Sequence, residues 1–201
     1  MKAIRFISCV AGLCSLATSC ASFPNHRVPE APKTPVSKVN RVSISYEQTS
    51  GSELMQGHRQ ESPAVAKLQY DKEFESALNG SGRFSSVSKG KGGSVHVDVD
   101  MLNYGNGGAA MVSGFICGFS LFTVPGFGTD NYKLVATARS SAGKSRQYVL
   151  DDGVTTVFWL PLIFVAPFKS PMTVVPEVHE NMYRNLIQHM ERDGVIPKVS
   201  N

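Results

Sequence analysis

The sequence predicts an α+β domain, with a small mixed or antiparallel sheet, two amphipathic helices and two strongly apolar segments. Three observations predict it. Val95, Val97, Val99 and Met101 alternate strictly with polar residues, which is the period of a strand with one buried face. Val178, Met182, Leu186 and Met190 recur every four residues with Tyr183 and Ile187 beside them, which is the stripe of an amphipathic helix. Residues 101–129 and 153–168, runs of 29 and 16, contain no Asp, Glu, Lys, Arg or His.

The remaining elements follow in order. Val42, Ile44 and Tyr46 alternate with Ser43 and Ser45 and predict a first strand. Ser62-Pro63 reads as a helix start and Asn79-Gly80 as its stop. Between them Ala64, Leu68, Asp71, Glu75 and Leu78 form one row, and Val65, Phe74 and Ala77 widen the apolar side. Residues 132–139 and 145–150 predict a hairpin turning at Ser141-Ala142-Gly143-Lys144. Gly194 closes the last helix.

The start of the chain carries a targeting signal. Lys2 and Arg5 are positive, Phe6 to Leu16 are apolar, and Ala17-Thr18-Ser19 are small. That order is a secretory signal peptide, and its apolar run is short of the roughly 20 residues that a membrane-spanning helix needs. The run Leu16-Ala17-Thr18-Ser19-Cys20 resembles the bacterial lipobox, although Ala17 stands where that pattern most often has Leu. The resemblance implies cleavage before Cys20, a diacyl group on its sulfur and acylation of the new amino end. Ala21, where Asp would signal otherwise, resembles the sorting pattern of Gram-negative outer-membrane lipoproteins. The expected location is therefore the periplasmic face of the outer membrane, with the inner membrane as the alternative.

This reading divides the chain into a signal peptide over 1–19, a lipidated, Pro-rich tether over 20–38, and one periplasmic domain over 39–199. Pro24, Pro29, Pro32 and Pro35 favour extended chain, which at about 3.1 Å per residue spans on the order of 50 Å. Cys9 and Cys14 leave with the signal and Cys20 is taken by lipid, so Cys117 has no partner for an internal disulfide. Stability is left to a hydrophobic core. The formal charge of +4 drops to about +2 once Lys2 and Arg5 are removed, and the basic residues are scattered. Nucleic acid is not an expected partner.

The passage Leu78-Asn79-Gly80-Ser81-Gly82-Arg83-Phe84, following a helix and leading into strands, resembles periplasmic α/β modules. Such modules occur in TolB-type proteins and in lipoproteins of curli and exopolysaccharide export. The resemblance covers residues 39–104. It implies a sheet with helices on one face, and it transfers no functional residue.

The apolar segments, 109–127 and 154–168, admit three readings: buried core, membrane contact, or burial between subunits. Ala110, Gly114 and Gly118 are spaced by four, as on a helix face that permits close packing. From Val154 to Val165 nine large apolar residues would cost upwards of about 10 kcal/mol if left in water. Something must cover them. As membrane or partner contacts the candidates are Phe115, Phe119, Phe122, Phe158, Trp159, Leu162 and Phe164, expected close together at one end of the domain.

Candidate chemistry is sparse. His96, Asp98 and Asp100 share a strand face that could offer metal ligands or an acid–base pair, but this more often is a solvated face. His179-Glu180-Asn181-Met182-Tyr183 lacks the second His of a zinc-protease motif and reads as a surface histidine. Gly143-Lys144-Ser145 has Ala138 where a phosphate loop needs glycine. No catalytic residue, metal or cofactor is expected. The expectation is a non-enzymatic envelope lipoprotein acting through protein or membrane contacts. Its partners would be the membrane, through its lipid, and a homo-oligomer or envelope protein in an envelope or export assembly. The rival is a periplasmic module holding a small apolar or glycan ligand.

Overall fold

Residue alternation on β5 (Val95–Tyr104) organises the molecule: Val95, Val97, Val99 and Met101 are all buried, while His96, Asp98 and Asp100 lie half-exposed on the other face. A computed structural model describes residues 20–33, 42–54 and 57–196. The signal peptide over 1–19, and residues 34–38 of the expected tether, lie outside the described residues.

The fold is α+β, as expected, with seven strands in one mixed sheet among the described residues. Its order is β1 (Cys20–Pro24), β7 (Ser145–Phe158), β6 (Gly126–Ser140), β5, β2 (Val42–Glu53), β3 (Gln60–Glu61), with β4 (Phe84–Lys89) also on β2. β2 runs parallel to β5 and β4, and the other pairs are antiparallel. The parallel pair is joined through α1 (Ala64–Gly80), a crossover that places this helix on the sheet. The core forms where α1 and α3 (Pro171–Arg192) cover that face. Phe74 of α1 meets Tyr46 at 5.2 Å and Tyr183 of α3 at 5.0 Å between ring centres.

Three expectations change. α1 buries Tyr70, Phe74, Ala77 and Leu78, because α3 and the sheet meet it on that side; Val65 and Leu68 point into solvent. His179 is not a surface residue. It is buried between Tyr70 and Tyr132 and donates from Nδ1 to Glu73 Oε2 of α1 at 2.8 Å, a partner that only the helix pairing supplies.

The third change concerns the tether. Over residues 20–33 it is folded chain. Cys20–Pro24 forms edge strand β1, antiparallel to β7. The following strap docks through its carbonyls and its few remaining N–H groups, since proline has none to give. Asn185 Nδ2 donates to the Pro29 carbonyl at 2.9 Å, and Ala31 N–H donates to Asn181 Oδ1 at 2.8 Å. The Asp152 carboxylate accepts from the N–H groups of Arg27 and Val28, and Val28 and Ala31 are buried. Prolines that suit a free linker suit an extended strap equally well.

Candidate functional site

The two uncharged runs fall into five pieces of the fold. The first run ends β5, forms α2 (Gly107–Phe119) and then opens β6; the second ends β7 and continues as a 3-10 turn, Leu160–Phe164. The hairpin is therefore longer than its polar part suggested, with Gly126 opposite Phe158 at its far end.

α2 starts where Asn106 Oδ1 accepts from Ala109 N–H at 2.9 Å, a side-chain N-cap. The helix lies along β6 because β6 begins with glycine. A Cβ at Gly126 would stand 2.7 Å from Cys117 Cβ and 2.9 Å from the Ser113 carbonyl oxygen. Cys117 is the one buried residue of the helix, and its Sγ donates to the Phe158 carbonyl at 3.3 Å. The spacing of Ala110, Gly114 and Gly118 does not mark the packed face. Only Ala110 approaches the sheet, at Gly128; a Cβ at Gly114 or Gly118 would meet nothing. With Met111, Phe115 and Phe119 those glycines line a shallow, open apolar groove of about 600 Å³.

The helix ends in a Schellman motif. Phe122 N–H donates to the Cys117 carbonyl at 2.9 Å and Leu121 N–H to the Gly118 carbonyl at 3.0 Å. Leu121 occupies the left-handed position normally given to glycine, with φ of 53°, and Phe122 follows at 62°. Two bulky residues are thus held in a region that costs on the order of 1–2 kcal/mol each.

Hydrogen bonds stitch the second segment to the first. Leu160 N–H donates to the Phe122 carbonyl at 3.1 Å, and Trp159 Nε1 to the Thr123 carbonyl at 3.2 Å. Ser22 N–H of β1 donates to the Lys169 carbonyl at 2.7 Å, closing the turn over the sheet edge. The expected proximity of 109–127 and 154–168 holds.

The core reading of these segments does not. Val154, Ala166 and Cys117 are buried, but Phe119 is 88% exposed, Phe164 83% and Leu121 72%. Apart from Phe23, Val65, Leu68 and Val149, every exposed large apolar side chain among the described residues falls within 111–127 or 158–172. Of the residues singled out, Phe115, Phe119, Phe158, Trp159 and Phe164 are exposed, while Phe122 and Leu162 are half-buried. Met111, Ile116, Leu121, Phe168 and Met172 belong to the same surface and were not singled out. Their signal was the uncharged run itself, except for Met172 beyond it.

Cys20 sits at this end. It opens β1 directly opposite Phe158, so β1, β7 and β6 bring Cys20, Phe158 and Gly126 into one row. Its thiol is free and partly exposed.

The polar candidates lie on the open sheet face. Asp98 accepts from Arg139 and pairs with His96 Nε2 at 3.2 Å, while His96 Nδ1 meets Ser45 Oγ at 2.9 Å. Burial alone would raise the Asp98 carboxyl, but the hydrogen bonds from Arg139 and His96 outweigh it and hold it below the usual carboxylate range. Asp100 goes elsewhere: Arg59 grips it at 2.7 Å and lowers its carboxyl against the effect of burial. Glu47 on β2 joins His96 and Asp98 instead. The charge of Asp98 is already compensated by Arg139, an ion pair that joins β5 to β6, with Glu47 of β2 beside it.

No protein-family model matches this chain. No curated protein matches it. Among solved structures it is similar to a Xanthomonas campestris protein of family DUF330, at 12% identity and a TM-score of 0.39, over 82% of this chain and 97% of that one. It is also similar to PelC of Paraburkholderia phytofirmans, crystallised as a dodecamer, at 9% identity and a TM-score of 0.30, over 78% and 95%. At such TM-scores neither likeness carries weight for function.

Proposed function

We propose that this chain is a non-enzymatic envelope lipoprotein, anchored by acylated Cys20 and working through the apolar surface at that end of its sheet. One observation carries the reading: Cys20 stands opposite Phe158, so the attachment point and the apolar surface share one end, with no slack between them. The two runs that build most of that surface hold no Asp, Glu, Lys, Arg or His. The proposed location is the periplasmic face of the outer membrane, where such a surface can serve an envelope or export assembly.

The rival, a module for a small apolar or glycan ligand, has less support. The polar clefts beside α3 measure 180 and 240 Å³, under the roughly 300–1,000 Å³ usual for small-molecule sites, and the groove on α2 is open. The test is metabolic labelling with a fatty acid. Wild-type protein is expected to take up label and fractionate with membranes, and Cys20→Ser to remain unlabelled precursor. An unlabelled wild-type protein would end the lipoprotein reading.

A further inference from the structure

We infer that the partner of the apolar end is the lipid leaflet itself, with α2, the Leu121–Phe122 turn and the 160–168 turn inserted as one wedge beside Cys20. This deepens the function proposed above by naming what its working surface touches.

The case for lipid over protein rests on where the polar groups go. A protein interface carries about one hydrogen bond per 100–200 Å², so a surface built for one keeps donors and acceptors outward. Here they turn in. Ser113 Oγ accepts from Phe127 N–H at 2.8 Å, and Thr123 Oγ1 donates to the Ser120 carbonyl at 2.6 Å. Ser120 Oγ donates to the Cys117 carbonyl at 2.9 Å and accepts from Val124 N–H at 3.1 Å. The Trp159 indole N–H is used on the Thr123 carbonyl. Internal satisfaction of this kind is what a hydrocarbon environment requires, because lipid returns no hydrogen bond.

Length and charge agree. α2 has 13 residues, about 20 Å at 1.5 Å per residue, against a hydrocarbon core of about 30 Å. None of the described helices is long and apolar enough to cross a membrane. The helix is therefore short enough to be held within one leaflet. The surface between Met101 and Thr129 carries no charge to be stripped of water. The single Trp, Trp159, belongs to this surface and is 38% exposed, and Trp is enriched at membrane boundaries.

That Trp makes the test direct. Acylated protein purified from membranes is reconstituted into vesicles of phosphatidylethanolamine and phosphatidylglycerol, with and without acyl-chain bromination. Trp159 emission is expected to shift to the blue and to be quenched by the brominated chains, unchanged by about 0.5 M salt. Phe119→Asp and Phe164→Asp are expected to cut quenching about tenfold while the protein still floats with the vesicles and keeps its melting temperature. Both side chains are too exposed to hold the fold. Protein that floats while Trp159 stays unquenched overturns insertion and leaves the anchor intact, as does a self-associated form that shields Trp159 from lipid. Protein that never acquires lipid overturns the anchor alone, since quenching is then read on chain mixed with vesicles.

Discussion

Leu121 is the most telling single residue of the chain. A left-handed position at a helix end is normally glycine, yet here a large apolar side chain is held there, mostly in solvent. Stability alone favours the opposite choice. Leu121→Gly is expected to gain about 1 kcal/mol and so raise the melting temperature by about 2–4 °C. The same change should weaken quenching of Trp159 by lipid. Strain kept where it costs stability marks a working position. A variant that melts lower would show that Leu121 is held there by packing.

Asp130 makes a second prediction at this scale. Burial raises its carboxyl, with a hydrogen bond from Asn103 pulling the other way. A carboxyl raised in the folded state contributes most below the ordinary range for unfolded chains, and that contribution is lost as pH rises through the folded value. Asp130→Asn is therefore expected to be more stable than wild type at neutral pH, with the difference closing near about pH 4. Asp98 and Asp100 shift the opposite way but are the same in both proteins, so the difference isolates Asp130. Thermal melts at the two pH values decide it.

Among elements, what could be read from the chain depends on where each element finds its burial. β5 and α3 are buried along a single stripe each, so alternation and four-residue spacing described them correctly. α1 was placed correctly and Phe74, Ala77 and Leu78 are on its buried side, but Val65 and Leu68 are as apolar and only α3 and the sheet decide that they stay uncovered. α2 has no stripe: apolar residues surround it, and its packed side is chosen by Gly126 across the gap. That contact is testable. Gly126→Val should drive α2 from β6, exposing Cys117 to thiol reagents and costing about 1–3 kcal/mol from overpacking. Unchanged thiol reactivity would mean that the helix is held by its turns instead.

At the scale of the molecule, the candidate surface was legible and its geometry was not. Long uncharged runs announced a surface needing cover. That α2, two turns and two strand ends meet beside Cys20 depends on pairings between distant parts of the chain. The proline-rich stretch was the hardest to read, since a strap and a linker share a composition and differ only in partners such as Asn181, Asn185 and Asp152.

Strand β1 carries a consequence in time. Its Ser22 meets Thr156, 134 positions further on, whereas the ladders joining β2, β5, β6 and β7 use nothing before residue 42. The ladders among β2, β5, β6 and β7 are complete without β1, and the long loop that β1 closes favours its pairing last. Until then the edge of β7 is bare, a template for any extended chain nearby. In such a state Cys20 would be unpaired and open to the processing proposed above. Once β1 zips onto β7 its backbone is committed to the ladder and that opening closes. If Cys20 is acylated as proposed, its covalent attachment would run as a race against the closing of β1 on β7, and the long separation between those strands handicaps folding.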